Sequence, residues 1–274
     1  MPGTLYLIAT PIGNLEDITL RGLRILREVG LVACEDTRQT QKLLSHYGIQ
    51  KRMVSYHEHN EAFRAPEIVA ELENGGSVAL VSDAGTPLVS DPGYRLVSKA
   101  VERGVRVEPV PGPSAVLAAL AASGLPTDSF QFRGFLPPRS SQRRKCLAAL
   151  KDEAATLIFF EAPHRIRETL QDIHEVLGTR PVVLAREITK VHEQFLRGTA
   201  SELLHAQLPL KGEFTLLIGK APAFEPKDAE IPALEAIEER IRAGMDRMEA
   251  IKAVARERGL SKREVYRLTL EEER

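Results

Sequence analysis

Short runs of aliphatic and β-branched residues alternate along this chain with stretches whose apolar positions recur every three or four residues. Leu5 to Ala9 is the first apolar run, and TPIGN turns the chain after it. Leu20, Leu23, Leu26 and Val29 then fall on one helical face, with Thr19 placed to cap it and Gly30 to stop it. LVAC (31–34) reads as the second strand, followed by EDTRQT and a short helix around Leu43 and Leu44. Arg52 to Tyr56 makes a third strand. Asn60 is placed to cap a helix carrying Ile68, Val69 and Leu72, with Pro66 expected to disturb its first turn. SVALV is a fourth strand, a long loop leads to a helix with Leu96, Val97 and Val101, and VRVEPV (105–110) is a fifth.

After PGPSA the alternation restarts. The helix AVLAALAAS is followed by strands near Phe130–Phe135, Thr156–Phe160, Val182–Ala185, Glu193–Leu196 and Glu213–Ile218. Helices are expected after Arg143, after Arg165 and around Leu203. Strand–helix alternation of this kind implies parallel or mixed sheets covered by helices, so the expected fold class is α/β with two such domains. The expected division is 1–112, 113–221, a linker over 222–232, and a helical segment over 233–274. The linker APAFEPKDAEIP is rich in Pro and charge and has no period. Beyond it, Met248, Ile251, Val254 and Ala255 share a helical face, Gly259 breaks it, and Ser261 can cap a second helix with Val265 and Leu268. That pattern reads as helix–turn–helix.

Length supports this partition, since 274 residues exceed what one small core needs. Charge is balanced, with 37 basic and 38 acidic residues, so any polyanion site must be a local patch. Two cysteines form neither a disulfide framework nor a zinc cluster and fit a reducing cytosol. The first residues lack a basic n-region and no apolar window reaches membrane-spanning length; a cytoplasmic location without a membrane partner is expected. Trp is absent and aromatics make up 5%, which disfavours a broad base-stacking platform.

The chemistry concentrates in the loops after the first five strands: TPIGN, EDTR, HEHN, SDAGTPLVSDPG and PGPSA. In open α/β sheets ligands bind at that edge. The fourth loop is about twice the usual two to six residues of a strand–helix connection. Gly lets a ligand approach backbone closely, and Pro stiffens a loop without needing a donor. No Walker A loop and no G-x-G-x-x-G follows any strand, and neither TPIGN nor SDAGTP carries a lysine. A triphosphate would lack its counter-charge there. Thr, Asp and backbone amides better suit a ligand with hydroxyls and an amino-acid head, such as S-adenosylmethionine, although a structural turn explains any single loop nearly as well.

ATPIGNLEDITLR, EDTRQTQKLL, HEHNE, LVSDAGTPLVSDPG, PGPSA, FRGFLPPR, FFEAPHRI, REITKVHE and GEF, in order from Leu5 to about Ile218, resemble the small-subunit ribosomal RNA methyltransferase I family. SDAGTP with EAPHR and the REITK segment is the specific part. The resemblance implies a tetrapyrrole methylase-like fold, class III among methyltransferases, with the cofactor cleft between the two α/β domains. It implies S-adenosylmethionine-dependent 2′-O-methylation of a cytidine in 16S rRNA of the small ribosomal subunit, by a homodimer. The wider fold class usually has G-D-P where this chain has Gly85-Thr86-Pro87, which matches the ribosomal branch and counts against a corrin or sirohaem acceptor.

Carried onto this sequence, the resemblance places Pro11, Gly85, Thr86, Pro87, Val89, Ser114 and Ala115 against the cofactor. Phe160, Glu213 and Phe214 would close over it from the second domain. A ribose hydroxyl gains from a general base within hydrogen-bond reach. Glu35, Asp36, Arg38 and Asp91 are expected to shape the acceptor site, with the base left unnamed among several carboxylates and histidines.

Other readings stay open. EDTR serves equally as a helix cap with a salt bridge. HEHNE lacks metal-ligand spacing, so a solvated loop or RNA contact is preferred and no metal is expected. Arg139, Arg143, Arg144 and Lys145, with His164 and Arg165, are phosphate-contact candidates, against the general rule that charge runs are solvated faces. From Arg240 to Arg267 nine basic residues face four acidic ones. Arg256, Lys262, Arg263 and Arg267 join the RNA candidates; the alternative is a helical packing or dimerisation module. At the level of function the alternatives are a tetrapyrrole methyltransferase and a non-catalytic rRNA-binding assembly factor.

Overall fold

The computed structural model describes residues 2–208, 211–222, 233–257, 260, 261, 265 and 266. Almost all of the expected linker, and Arg258, Gly259, Lys262, Arg263 and Arg267, lie outside the described residues. The chain forms two compact units, Met1–Ala221 and Pro222–Arg274.

The first unit opens with β1 (Thr4–Ile8), α1 (Leu20–Glu28), β2 (Leu31–Cys34), α2 (Thr37–His46), β3 (Met53–Ser55), α3 (Glu61–Glu73), β4 (Val78–Val81), α4 (Tyr94–Glu102) and β5 (Arg106–Val110). These strands make one all-parallel sheet in the order β3-β2-β4-β1-β5. A parallel sheet is covered on both faces, so its central strands must be apolar at every position. LVAC and VALV are buried throughout. Their period of two divides them between two cores. Val32, Cys34, Ala79 and Val81 pack with Leu23, Ile25 and Leu26 of α1, whereas Leu31, Ala33, Val78 and Leu80 pack with Ile68, Leu72 and Leu96 of α3 and α4.

Three local expectations need correction. Thr19 does cap α1, its hydroxyl accepting the Gly22 N–H at 3.0 Å, but Leu20 lies outside the buried face, being 86% exposed. Asn60 does not cap α3. Its side-chain oxygen instead accepts the His57 N–H at 2.8 Å, and its amide donates to the Ser55 carbonyl at 3.1 Å, tying the helix entry back to β3. Pro66 sits inside α3, which continues through it.

The remainder of the unit comprises α5 (Ala115–Ser123), β6 (Phe130–Phe135), α6 (Ser140–Ala149), β7 (Thr156–Glu161), α7 (Ile166–Leu177), β8 (Pro181–Arg186), β9 (Gln194–Thr199), α8 (Ala200–His205) and β10 (Phe214–Ile218). Their sheet is mixed, in the order β6-β7-β10-β8-β9. β10 runs antiparallel to both neighbours, so Phe214, at its beginning, pairs with Glu161 and Arg186 at their ends. That reversal brings the amino end of β10 to the same edge as the carboxyl ends of β7 and β8. One face of the sheet packs with α6, α7 and α8 and the other with α5. A register shift between Phe132 and Phe135, with Gly134 at φ 64°, bends β6.

In the second unit α9 (Ala233–Arg242) and α10 (Arg247–Glu257) pack through Ala236, Ile237, Ala250, Ile251, Val254 and Ala255, with Val265 against them. Among the described residues no helix is long and apolar enough to cross a membrane.

Candidate active site

The loops after β1 and β4 are joined backbone to backbone. Thr10 and Gly85 exchange both N–H···O bonds at 2.9 Å, and the Thr10 hydroxyl donates to the Ser82 carbonyl at 3.0 Å. The long loop 82–93 then holds Gly85, Leu88, Ser90 and Gly93 at φ of 86°, 73°, 68° and 147°. Left-handed Leu and Ser residues each store strain of about 1–3 kcal/mol, which persists only where surroundings impose the shape. Thr86 supplies one such restraint, its hydroxyl donating to the Pro113 carbonyl at 3.3 Å. That bond fastens the loop to PGPSA, where Ser114 caps α5 by accepting the Leu117 N–H.

Two adjoining chambers open at this edge. The larger, about 390 Å³, has walls from Ile12, Ala84 and Ala115 on the first sheet's side. From the second sheet's side come Phe160, Ile188, Phe214 and Thr215, with the 161–163 turn and Glu213 at the rim. The smaller, about 170 Å³, is formed by Gly85, Thr86, Val89, Ser90, Asp91 and Ser114. Both share Ile12, Ala84, Ala115, Phe135 and Phe160. Phe160 is fixed edge-on by Phe132 at 4.9 Å and Phe135 at 5.7 Å between ring centres.

Of the residues named for the cofactor, Gly85, Thr86, Val89, Ser114 and Ala115 line the smaller chamber, and Phe160, Glu213 and Phe214 the larger. Pro11 and Pro87 are buried beside the chambers without lining either; Ile12 and Ala84 stand there instead. Those two, with Phe135, Ile188 and Thr215, carry no chemical signature in sequence. Ile188 is presented by a loop with Glu187 and Thr189 in the left-handed region. Glu187 accepts the Glu213 N–H at 2.9 Å, and Lys190 ion-pairs with both Glu187 and Glu213.

The four acceptor-site candidates separate. Asp36 caps α2, accepting the Arg38 N–H at 2.8 Å, and chelates the Arg38 guanidinium, which holds its carboxyl down at about 2. Arg38 points to solvent, its side chain 86% exposed. This pair is thus a cap with a salt bridge. Glu35 is pushed up by burial and by the Asp83 and Asp36 charges, with His57 opposing. Asp91 alone of the four lines a chamber. Burial, then the Glu35 charge, raise its carboxyl to about 6, with Asp83 adding and the Ser82 hydroxyl opposing.

Two of the arginines expected on the surface belong to the interior. Arg143 is wholly buried, donating from Nε to Asp172 at 2.6 Å, because its place on α6 faces α7. Arg165 donates to the Leu136 and Pro137 carbonyls at 2.8 and 3.2 Å and pairs with buried Glu161. Neither guanidinium is available to phosphate. Arg139, Arg144, Lys145, His164 and, in the second unit, Arg256 are exposed, and Arg144 pairs with Glu175. Among the described residues no cluster of three or more His, Cys, Asp or Glu could hold a metal ion.

The comparisons with known proteins agree with this architecture. Residues 4–204 match the family described as Tetrapyrrole (Corrin/Porphyrin) Methylases. Over 272 residues the chain is 49% identical to the ribosomal RNA small subunit methyltransferase I of Halalkalibacterium halodurans, spanning 97% of this chain and 94% of that one. The chain belongs to that methyltransferase family. The similarly named protein of Escherichia coli O157:H7 is 45% identical over 276 residues, with 99% and 96% covered. A solved diphthine synthase superposes with TM-score 0.64 at 17% identity, over 81% of this chain and 92% of that one. Uroporphyrin-III-C-methyltransferase from Thermus thermophilus gives 0.54 at 23%, over 81% and 94%. At such identity the likeness shows the fold alone, and a fold shared under such different names does not choose the acceptor.

Proposed function

We propose that this methyltransferase-family chain transfers a methyl group from S-adenosylmethionine to the ribose 2′-oxygen of a cytidine in 16S rRNA of the small ribosomal subunit. The observation that carries the reading is identity of 45–49% along nearly the whole chain to proteins named for small-subunit rRNA methylation. The tetrapyrrole alternative has the broad family match over residues 4–204 and fold-level neighbours in its favour, but no relative of comparable identity.

The donor suits the larger chamber. Its walls are apolar and aromatic, among the described residues no Lys or Arg lines it, and Thr215, Glu213 and loop peptide groups give a polar border. A nucleoside with a sulfonium and an amino-acid head matches that balance, whereas a triphosphate does not. Ala84, Ala115, Phe160, Phe214 and Ile188, with Gly85 from the adjoining smaller chamber, would hold it. When bound, the cofactor supplies an activated methyl group on positively charged sulfur. The protein's main contribution is orientation, because an in-line displacement gains most from two reactants fixed in attack geometry. The doubly bonded Thr10–Gly85 contact and the strained 82–93 loop supply a wall that needs no rearrangement on binding.

Arg139, Arg144, Lys145 and His164 supply the exposed cationic and imidazole groups for RNA near this unit, and Arg256 extends the grip from the helical unit. Lys262, Arg263 and Arg267 are assigned the same role from sequence. We take 1–112 and 113–221 as the two lobes of the cleft, 222–232 as a linker, and the active species as a cytoplasmic homodimer.

The test is incubation of the protein with small ribosomal subunits and methyl-tritiated S-adenosylmethionine. Label in 16S rRNA at one cytidine, at a bond resistant to alkaline hydrolysis, is the expected result. Label entering uroporphyrinogen in a parallel incubation and not the subunits, or subunit binding without methyl transfer, would replace the reading with the corresponding alternative.

A further inference from the structure

Among the described residues the exposed aromatic rings are Phe63, Tyr94, Phe130, Phe135 and Tyr266. Phe135 alone of these lines the cleft, and it lines both chambers while remaining 58% exposed. One exposed ring needs no explanation by itself. What sets this one apart is the amount of structure that places it.

Side chains alternate faces along a strand, so Phe132 and Phe135, an odd number of positions apart, belong on opposite faces of β6. The register shift between them, with Gly134 at φ 64°, cancels that alternation. Both rings meet Phe160 edge-on, at 4.9 and 5.7 Å between centres. A bulge that re-aims one side chain recurs beside active sites. The chain is then pinned beyond the ring. The Leu136 and Pro137 carbonyls accept from Arg165 at 2.8 and 3.2 Å, and Leu136 is buried. Arg165 is paired in turn with Glu161, which accepts from the Thr169 hydroxyl at 2.7 Å and the Ala162 N–H at 2.9 Å. Before the ring, a Cβ at Gly134 would lie 3.7 Å from the Ser90 hydroxyl, so β6 ends against the 82–93 loop of the opposite wall. A half-exposed phenyl ring therefore stands where the chambers join, on backbone held from both ends.

The charges around the cleft narrow what this ring can meet. Among the described residues no Lys or Arg lines either chamber, so no cationic side chain there holds a nucleotide by its phosphates. In-line transfer still requires the acceptor oxygen about 3–3.5 Å from the methyl carbon. A nucleotide drawn out of its own stack to reach that point loses its neighbours, and an aromatic face replaces them.

We propose that Phe135 stacks on the base of the nucleotide whose ribose is methylated and so holds the 2′-hydroxyl at the donor. This rests on the rRNA 2′-O-methylation reading. The ring forms no bond and moves no proton. It fixes the plane of the base and, through the glycosidic bond, the position of the ribose. The flanking phosphates fall to exposed cations outside the chambers, Arg139 among them.

The experiment is steady-state methylation by Phe135→Ala, Phe135→Leu and Phe135→Tyr, with small ribosomal subunits varied at saturating methyl-tritiated S-adenosylmethionine. Cofactor affinity is measured by calorimetry and folding by thermal unfolding. Phe135→Ala and Phe135→Leu should both lose on the order of 10- to 100-fold in kcat/KM for subunits, with cofactor affinity within about threefold of wild type. Phe135→Tyr, which keeps the π face, should stay within about threefold in kcat/KM. Leucine retains apolar bulk against Phe160 without that face, so it separates stacking from the filling of a wall. A Phe135→Leu variant as active as wild type, or a Phe135→Tyr variant as slow as Phe135→Ala, would overturn the assignment. An equal fall in cofactor affinity would overturn it too, by making the ring part of the donor site. Wild-type protein that methylates no subunit would instead overturn the reading beneath it, and the assignment with it.

Discussion

The two sides of the cleft are built on opposite principles. The first sheet contributes loops: Ile12, the 84–91 segment and the Ser114–Ala115 helix start all lie beyond strand ends, and Gly85, Leu88 and Ser90 of the 84–91 segment are held in left-handed conformations. The second sheet contributes pieces of its own core: Phe160 is part of β7, and Phe214 and Thr215 are part of β10. The first side therefore has a site separable from its packing, and the second has a site that is packing. Substitutions should divide accordingly, with binding and stability uncoupled on one side and coupled on the other.

The largest effect is expected where the second side's architecture passes for function. Arg143 looks like part of a basic surface run, yet it is buried against Asp172, which also accepts from the Ser140 hydroxyl at 2.9 Å. Removing one member of a buried pair leaves the other charge uncompensated, at about 3–5 kcal/mol. Arg143→Ala should lose about that much in denaturant unfolding, whereas Arg144→Ala, whose side chain is 47% exposed, should lose less than about 1 kcal/mol. Equal losses would show that the run is a uniform surface after all.

That example marks where sequence stops being informative. RRK is the same string whether its first arginine faces water or α7, and Asp172 lies 29 residues further on. The helix at Ala115–Ser123 was legible to the residue because Ser114 caps it and Gly124, at φ 81°, ends it. The parallel sheet was legible because full burial demands runs such as LVAC. The site's first side followed from it, since polar loops after parallel strands can only gather at one edge. The second side did not follow from local pattern; Phe160, Glu213 and Phe214 were expected there only from the family resemblance. Only the insertion of β10 antiparallel between β7 and β8 brings GEFT to the cleft, and no local pattern encodes strand order. Ile188 and Ala84 line it by position, not by chemistry.

Gly85→Arg tests the first side. A side chain at φ 86° costs about 1–2 kcal/mol in backbone strain, and its Cβ would lie 3.4 Å from Ile12, where the two chambers meet. Calorimetry should show a loss in S-adenosylmethionine affinity of at least about 100-fold, near 2.7 kcal/mol, in a protein that still unfolds cooperatively. Retained affinity would remove the donor from this loop.

Phe160→Ala is the matching change on the second side, smaller in binding but coupled to stability. Its ring contacts with Phe132 and Phe135 are each worth about 0.5–1.5 kcal/mol. Affinity should fall about tenfold and stability by about 1–2 kcal/mol together. A loss of affinity with unchanged unfolding would mean that the second side also carries a detachable site.

The effect of opposite sign belongs to Asp91. Its carboxyl titrates at about 6 in the folded protein and near 3.9 in an unfolded chain. Below about pH 4 both states hold the proton and the group is neutral in the balance. Between pH 4 and 6 the unfolded chain has released it while the folded protein retains it, so stability falls as pH rises, and above pH 6 the deficit is complete. Asp91→Asn keeps the shape and removes the charge. Its melting temperature should therefore exceed that of wild type by a few degrees at pH 8, and the difference should shrink towards zero near pH 4. A site separable from packing can carry a group that costs stability, and this variant measures the cost directly: more stable on the first side, where Phe160→Ala is less stable and weaker in binding on the second. If Asp91→Asn instead melted below wild type at pH 8, the carboxylate would be part of the fold's support, and the contrast between the two sides would fail at the residue on which it is sharpest.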